Sequence, residues 1–156
     1  MDKYEELFRS LCNKNGYKCF RHSNKIEDIN EHWDFLLFKD ANFYKIDIKG
    51  KKHIRRNGRS LKNSICVEWK NVNGDPGWIY GRADIIAFFI NNEFLLYKRR
   101  DLLNSCLDIT DFEKRVDSFS ESKNCVYRRE YRKDLISLVQ LSEICEPIEI
   151  WKIEES

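Results

Sequence analysis

Two aspartates and a lysine in the first third of the sequence have the chemistry to hold a divalent cation beside a phosphate group. Asp34 lies in residues 31–38, and Asp47 and Lys49 lie in residues 43–50. Both segments are predicted to be strands, and the short polar turn 39–42 separates them. A hairpin of these two strands would bring the three side chains together.

The register of that hairpin decides whether the carboxylates meet. If Phe38 pairs with Phe43, a symmetric hairpin places Asp34 directly opposite Asp47, and Lys49 emerges on the same face as Asp47 because strand side chains alternate. The same register sets two further pairs opposite each other, Phe35 with Ile46 and Trp33 with Ile48. Facing carboxylates repel each other and cost stability. The cluster therefore suits a divalent metal site better than core packing, which predicts a metal-dependent nuclease.

The length and composition predict one folded domain. The chain has 156 residues, of which 42% are hydrophobic and 35% charged, too many apolar residues for a disordered protein. The net charge of +2 is small, but basic residues are concentrated between residues 45 and 70. A basic zone beside a carboxylate pair suits a polyanionic substrate. The residues predicted to bind nucleic acid are Lys51, Lys52, Arg55, Arg56, Arg59, Lys62, Lys70 and Trp78.

The cysteines and the apolar segments exclude other classes of protein. The six cysteines are scattered without CxxC spacing, so they are predicted to be free thiols in or near the core rather than zinc or iron–sulfur ligands. The first residues are charged and helical in pattern, unlike a signal peptide. No apolar segment approaches the length of a membrane span. A reduced, cytoplasmic protein without membrane contact is expected.

The pattern along the chain predicts an α+β fold, with a central mixed sheet, an N-terminal helix over residues 2–15 and further helices behind the strands. The predicted strands are residues 17–21, 31–38, 43–50, 64–70, 85–90, 94–98, 125–129 and 148–153. Residues 101–107 and 111–119 are predicted to be short helices, and 134–144 is ambiguous between helix and strand. Residues 22–30 and 51–63 are predicted to be loops.

The order of a helix, a strand, a strand with Asp and a strand with Asp-x-Lys resembles the PD-(D/E)XK nuclease superfamily, which includes restriction endonucleases, Holliday junction resolvases and phage nucleases. The resemblance covers about residues 1–100, the restriction endonuclease-like α/β/α core, and leaves 101–156 as an extension. It places Asp34 at the motif's first Asp and Asp47-Ile48-Lys49 at its (D/E)-x-K. Trp33 stands where the motif has Pro. Family members often carry a glutamate on the first helix, and Glu5 is preferred here over Glu6.

A second E-x-K leaves the motif assignment open. Glu68-Trp69-Lys70 also lies on a predicted strand and would make Asp47 the earlier acid. In the favoured assignment Asp34 and Asp47 bind Mg²⁺ or Mn²⁺, Lys49 holds a water or a phosphate oxygen, and Glu68 is a further ligand if its strand lies beside Asp47. The expected function is a DNA endonuclease of the restriction or resolvase type, acting on duplex or branched DNA. Cutting both strands calls for two copies of a one-site domain, which would be met by a homodimer.

Three alternatives stay open on the sequence alone. The two aspartates would also be stable as partners of Lys45, Lys49 or His32 on a solvated sheet face. A nucleic-acid-binding module that kept the nuclease fold without chemistry would bind DNA and not cleave it. A protein-interaction domain would neither bind nor cleave DNA.

Overall fold

The computed structural model describes residues 1–50, 55–56, 59–60 and 63–153, and for residues 55, 56, 59 and 60 it describes the backbone alone. The chain divides into two compact units. The first comprises Met1–Gly50, Arg82–Arg99 and Glu146–Ser156, and the second comprises Lys51–Gly81 and Arg100–Cys145. Helices and mixed sheets occur together, so the predicted α+β class is confirmed. The chain passes between units at residue 99, near the predicted boundary at 100, but also at 50, 81 and 145. That the whole chain is a single domain stays a prediction.

Twelve strands and three α-helices follow one another along the described residues. The helices are α1 (Lys3–Cys12), α2 (Lys25–Glu31) and α3 (Arg99–Ile109). The strands are β1 (Lys18–His22), β2 (Phe35–Lys39), β3 (Asn42–Lys49), β4 (Arg55–Arg56), β5 (Arg59–Ser60), β6 (Ser64–Lys70), β7 (Ile85–Ile90), β8 (Glu93–Lys98), β9 (Asp111–Val116), β10 (Cys125–Tyr127), β11 (Leu135–Gln140) and β12 (Glu149–Lys152). Short 3₁₀ helices cover Asn13–Asn15, Trp78–Tyr80, Phe119–Glu121 and Leu141–Glu143.

The first unit is a six-stranded mixed sheet in the order β1-β2-β3-β7-β8-β12, with the N-terminal helix α1 packed on it. Only β3 and β7 run parallel, and the other neighbours are antiparallel. Helix α1 begins at a capping box made by Asp2 and Glu5, and Gly16, at φ +85°, follows the 3₁₀ turn that ends it. The ring of Phe8 on α1 is buried against Trp151 of β12, with centroids 4.6 Å apart.

The β2–β3 hairpin has the predicted register over its whole paired length. Phe38 pairs with Phe43, and Phe35 pairs with Ile46. The turn is shorter than predicted because Lys39 and Asn42 also pair, which leaves two turn residues, both with positive φ. The ladder ends at Phe35, so the predicted direct pairs of Asp34 with Asp47 and Trp33 with Ile48 are not part of it.

The segment before β2 is partly helical, which corrects the prediction of a polar loop from 22 to 30. Helix α2 begins at Asn24, whose side chain accepts a hydrogen bond from the amide of Glu27, while the Glu27 carboxylate accepts one from the amide of Asn24. This reciprocal capping box stabilises a seven-residue helix that buries no side chain completely. The helix ends at His32, which has a left-handed backbone at φ 59°.

The second unit has its own four-stranded sheet in the order β6-β11-β10-β9, and a separate two-stranded ribbon, β4–β5. The sequence predicted the mixed sheet but gave no sign of this second sheet. Residues 55–56 and 59–60 of the loop predicted over 51–63 form the ribbon, and residues 51–54, 57–58 and 61–62 lie outside the described residues. The helix predicted over 111–119 is strand β9, paired in parallel with β10. The ambiguous 134–144 segment is strand β11 and a 3₁₀ turn, while α3 confirms the helix predicted over 101–107.

All six cysteines are free thiols, as predicted, and four of them are buried: Cys12, Cys66, Cys106 and Cys125. Among the described residues, no helix is long and apolar enough to cross a membrane.

Candidate functional site

Asp34 lies immediately before the first residue of β2, and both its main chain and its side chain form hydrogen bonds with β3. Its amide donates to the carbonyl of Ile46 and its carbonyl accepts from Ser23, each at 2.7 Å. Its carboxylate oxygen Oδ2 accepts a hydrogen bond of 2.7 Å from the amide of Ile48 on β3. The side chain thus replaces the main-chain acceptor that a longer β2 strand would have supplied, and this contact fixes the carboxylate beside β3.

Asp47 and Lys49 lie on one face of β3, as strand alternation predicts. The Lys49 ammonium is 3.1 Å from Asp47 Oδ2, and the exposed fractions of the two side chains are 12% and 6%. Strand β3 lies between β2 and β7 and is hydrogen-bonded on both sides, so the backbone that carries these two residues is held firmly. The predicted combination of an aspartate with a lysine two residues later is therefore present in the fold as a close ion pair.

The carboxyl groups of Asp34 and Asp47 influence each other although their residues do not pair in the ladder. Burial raises the pKa of Asp34, the charge of Asp47 raises it further, and the hydrogen bond from Ile48 opposes the rise. Burial also raises the pKa of Asp47, against the lowering effect of Lys49. The hydrogen bond with the Asp34 side chain also lowers the pKa of Asp47. The site therefore holds two acidic groups with one nearby ammonium, and it favours a proton or a cation between them.

Glu5 of α1 lies close enough to this pair for its charge to raise the pKa of Asp34. Its carboxylate accepts from the amide of Asp2 at 2.8 Å through one oxygen and lies 3.0 Å from His22 Nε2 through the other. The sequence-based preference for Glu5 on the first helix thus fits its position. Each of its two oxygens has one of these partners, and a role of Glu5 as a metal ligand stays a prediction.

Two histidines contact or influence the acidic residues of this site. His22 ends β1 and contacts Glu5, and the charge of His32 lowers the pKa of Asp47. Neither has a spacing to other ligands that would reveal it in the sequence. The signal for His32 was the Asn24-x-x-Glu27 capping pattern, because that pattern predicts the helix whose end carries His32.

The donor set of the pair fits a hard divalent cation. Two carboxylates on neighbouring strands offer oxygen ligands, and Mg²⁺ commonly binds one or two carboxylates and keeps several waters. Within the described residues, no group of three or more His, Cys, Asp or Glu side chains is arranged to hold a metal ion. A cation at this place would therefore take Asp34 and Asp47 as its side-chain ligands, with solvent for the remaining positions.

Glu68 and its alternative E-x-K lie on β6, in the sheet of the second unit. The ladder partner of β6 is β11, whereas β3 pairs with β2 and β7. Glu68 was predicted to be a further ligand if its strand lies beside Asp47. In the sheet that carries Asp47, the strand of Glu68 is not a neighbour of β3. The hairpin assignment of Asp34, Asp47 and Lys49 has the geometric support, and a role for Glu68 stays a prediction.

The predicted nucleic-acid contacts have mixed outcomes. Lys51, Lys52 and Lys62 and the side chains of Arg55, Arg56 and Arg59 lie outside the described residues. Lys70 is exposed at the end of β6. Trp78 is only 4% exposed, so its ring has no free face for a base, which argues against the predicted contact of Trp78 with nucleic acid. Its neighbour Tyr80 is 45% exposed.

Comparisons of the chain with protein-family models, with curated proteins and with solved structures found no match. A function for this chain is therefore inferred from its own residues and their geometry.

Proposed function

We propose that the chain is a metal-dependent endonuclease that hydrolyses phosphodiester bonds in DNA. The observation that carries this proposal is the pair of the half-buried Asp34 and the buried Asp47, with Lys49 at 3.1 Å from Asp47. A structural salt bridge needs one carboxylate for each cation, whereas this site holds a second acid whose charged form is disfavoured by burial. The surplus of negative charge supports a role in binding a cation.

In this proposal each residue of the site has a separate role. Asp34 and Asp47 hold Mg²⁺ or Mn²⁺, which supplies Lewis-acid stabilisation of the scissile phosphate and lowers the pKa of a water. Lys49 donates a hydrogen bond to a phosphate oxygen or to the attacking water, from a position fixed by strand β3. The hydrogen bond from the Ile48 amide keeps the Asp34 carboxylate oriented towards Asp47.

The test is cleavage of supercoiled, linear and four-way-junction DNA in Mg²⁺, in Mn²⁺ and in EDTA. We expect metal-dependent cleavage that falls about 100-fold or more in Asp47→Asn and in Lys49→Met, since each change removes several kcal/mol of charge stabilisation. The matched control is Asp40→Asn, because Asp40 lies in the exposed turn of the same hairpin and Asn tolerates its positive φ of 51°.

The control variant should cleave like the wild-type chain. Full activity of Asp47→Asn would contradict the site assignment. DNA binding without cleavage in either metal would favour the nucleic-acid-binding module instead, and the absence of binding as well would favour the protein-interaction domain. The preferred DNA form would separate a resolvase from a restriction-type enzyme.

A further inference from the structure

A basic groove lies in the second unit. Its residues are distant in the sequence from Asp34 and Asp47, and its strands belong to a different sheet from β3. The loop 128–134 between β10 and β11 and the edge strand β9 enclose a cavity of about 510 Å³. A smaller cavity of about 230 Å³ continues it and shares three lining residues, Arg115, Arg128 and Lys133. We call this combined feature the basic groove; its cationic residues are Lys70, Arg115, Arg128, Arg129, Arg132 and Lys133.

The groove has an excess of positive charge that its own acids do not neutralise. Its acidic lining residues are Asp117 and Glu130, against six cationic ones. Arg129 forms an ion pair of 2.8 Å with the buried Asp134. In the described part of the chain, none of the other five cations has a carboxylate within ion-pair distance. All five are exposed, so they are available to an anionic ligand.

Hydrogen bonds within the loop hold its shape. Arg128 Nε donates to the carbonyl of Arg132 at 3.0 Å, and the amide of Arg132 donates to the carbonyl of Arg129 at 3.1 Å. The ion pair of Arg129 with Asp134 ties the loop to the start of β11. A loop fixed in this way presents its cations at defined separations, which lowers the entropy that binding would cost.

Tyr131 is the aromatic residue of the groove and projects from the tip of this loop. Its side chain is 98% exposed, and its backbone has a positive φ of 65°. Among the described residues, no other ring packs against it. A fully exposed tyrosine beside five cations has no packing role in the folded chain, but both faces of its ring are open to a planar ligand.

We propose that the basic groove binds an unpaired strand of nucleic acid, with the cations along the phosphates and Tyr131 stacked on a base. Separated cations match the repeated phosphates of a strand, and base–aromatic stacking is tolerant of sequence. Bases within a duplex are already stacked on each other, so an open ring favours an unpaired strand. The strand is DNA or RNA, since both carry the same phosphates and base faces.

This site does not depend on cleavage by the β3 carboxylates. Binding in the groove needs no divalent cation, so it is measured in EDTA, where the proposed nuclease is inactive. A failure of the groove proposal would leave the cleavage test unaffected, and loss of cleavage in Asp47→Asn would leave groove binding intact.

The test is fluorescence anisotropy of labelled single-stranded DNA, single-stranded RNA and duplex DNA of one sequence, in EDTA, over a series of salt concentrations. The combined variant Arg115→Ala, Arg128→Ala, Lys133→Ala should weaken single-strand binding at least tenfold and reduce the slope of log affinity against log salt by about 2, since each phosphate contact contributes about 0.7. The single variant Arg115→Ala is compared with Lys114→Ala, which removes the same charge from the opposite face of β9.

Variants of Tyr131 distinguish the contribution of base stacking to binding from the contribution of charge. Tyr131→Ala should weaken single-strand binding about tenfold without changing the salt slope, and Tyr131→Phe should retain most of the affinity. Far-UV circular dichroism confirms that each variant is folded, which is expected because all the changed side chains are exposed. Equal affinity of the combined variant and the wild-type chain would overturn the proposal. So would equal binding of duplex and single strands with no effect of Tyr131→Ala, or an Arg115→Ala effect no larger than that of Lys114→Ala. Binding of either DNA or RNA would support it.

Discussion

At the residue scale, the most informative feature is a pair of acids of which, among the described residues, Asp47 alone has an ion-pair partner. Lys49 pairs with Asp47, and the amide of Ile48 binds Asp34. Burial raises the pKa of both carboxyl groups, so the folded chain is more stable with a proton on the pair than without it. A divalent cation would replace that proton, which links metal binding, pH and stability in one site.

The pH dependence of stability follows from these raised pKa values. A carboxyl group whose folded pKa lies above its unfolded value stabilises the fold fully below the unfolded pKa, and this contribution is lost as the pH rises through the folded pKa. We expect the melting temperature in EDTA to fall as the pH rises above the ordinary carboxyl range, and Mg²⁺ or Mn²⁺ to reverse the fall. In Asp34→Asn the fall should be smaller and the metal effect weaker. Parallel melting curves for the wild-type chain and Asp34→Asn, with and without metal, would contradict this.

Burial should also protect two thiols. It raises the pKa of Cys12 and of Cys106 from 9.0 to about 12, which lowers the thiolate fraction roughly 1000-fold. Cys145 is only half-buried. We therefore expect iodoacetamide at neutral pH to modify Cys145 in the native chain, and to reach Cys12 and Cys106 only after unfolding. Peptide mapping by mass spectrometry after timed labelling measures this. Equal rates at Cys106 and Cys145 in the native chain would show that the α3 thiol is not protected.

At the element scale, the sequence was most informative where a contact is local. The register of the β2–β3 hairpin was predicted because the turn is short and the apolar pattern admits one pairing. The parallel pairing of β3 with β7 was not predicted, since no local signal connects Asp47 with Ile86 across the intervening chain. The helix predicted over 111–119 is strand β9 instead, because its pairing with β10 decides its conformation.

In the candidate site, too, contacts that are local in the sequence were predicted and distant ones were not. Asp34, Asp47 and Lys49 were found from the sequence because they lie on one hairpin. The proximity of Glu5 to Asp34 could only be inferred from a family pattern, and that of His32 to Asp47 requires helix α2. The basic groove was missed because it combines β6, β9 and the loop after β10, three elements that no local pattern brings together.

The capping box of α2 gives a test at this scale. Asn24→Ala removes the acceptor for the Glu27 amide and should lower the free energy of unfolding by about 1 kcal/mol, a typical cost for an N-cap. The control Lys25→Ala changes the exposed neighbouring position and should have almost no effect. Urea unfolding followed by circular dichroism measures both. Because His32 is the residue that caps the C-terminus of α2, Asn24→Ala should also change the cleavage rate more than Lys25→Ala does. Equal stability of the two variants would show that the Asn24 cap does not stabilise the helix.

At the scale of the whole molecule, strand β12 completes the first unit. Trp151 is 1% exposed and stacks on Phe8 of α1, while the adjacent Ile150 is 50% exposed. We expect Trp151→Ala to destabilise the fold by about 3–5 kcal/mol, since it leaves a cavity between helix and sheet. Ile150→Ala, one residue away on the opposite face of β12, should cost less than about 0.5 kcal/mol. Thermal and urea unfolding of the two variants measures the difference, and similar stabilities would contradict this packing.

The interleaving of the two units has a consequence for synthesis on the ribosome. Each unit is assembled from separate stretches of chain, and the first requires residues after Glu146. In a protein of consecutive domains, the N-terminal domain folds while the rest is still being translated. Here the β8 edge has no β12 to pair with until translation has passed residue 149, so that edge of the sheet stays open while residues 99–149 are made. An open edge of this kind is a place where another chain can pair, so the pairing of β12 with β8 also removes a site of aggregation.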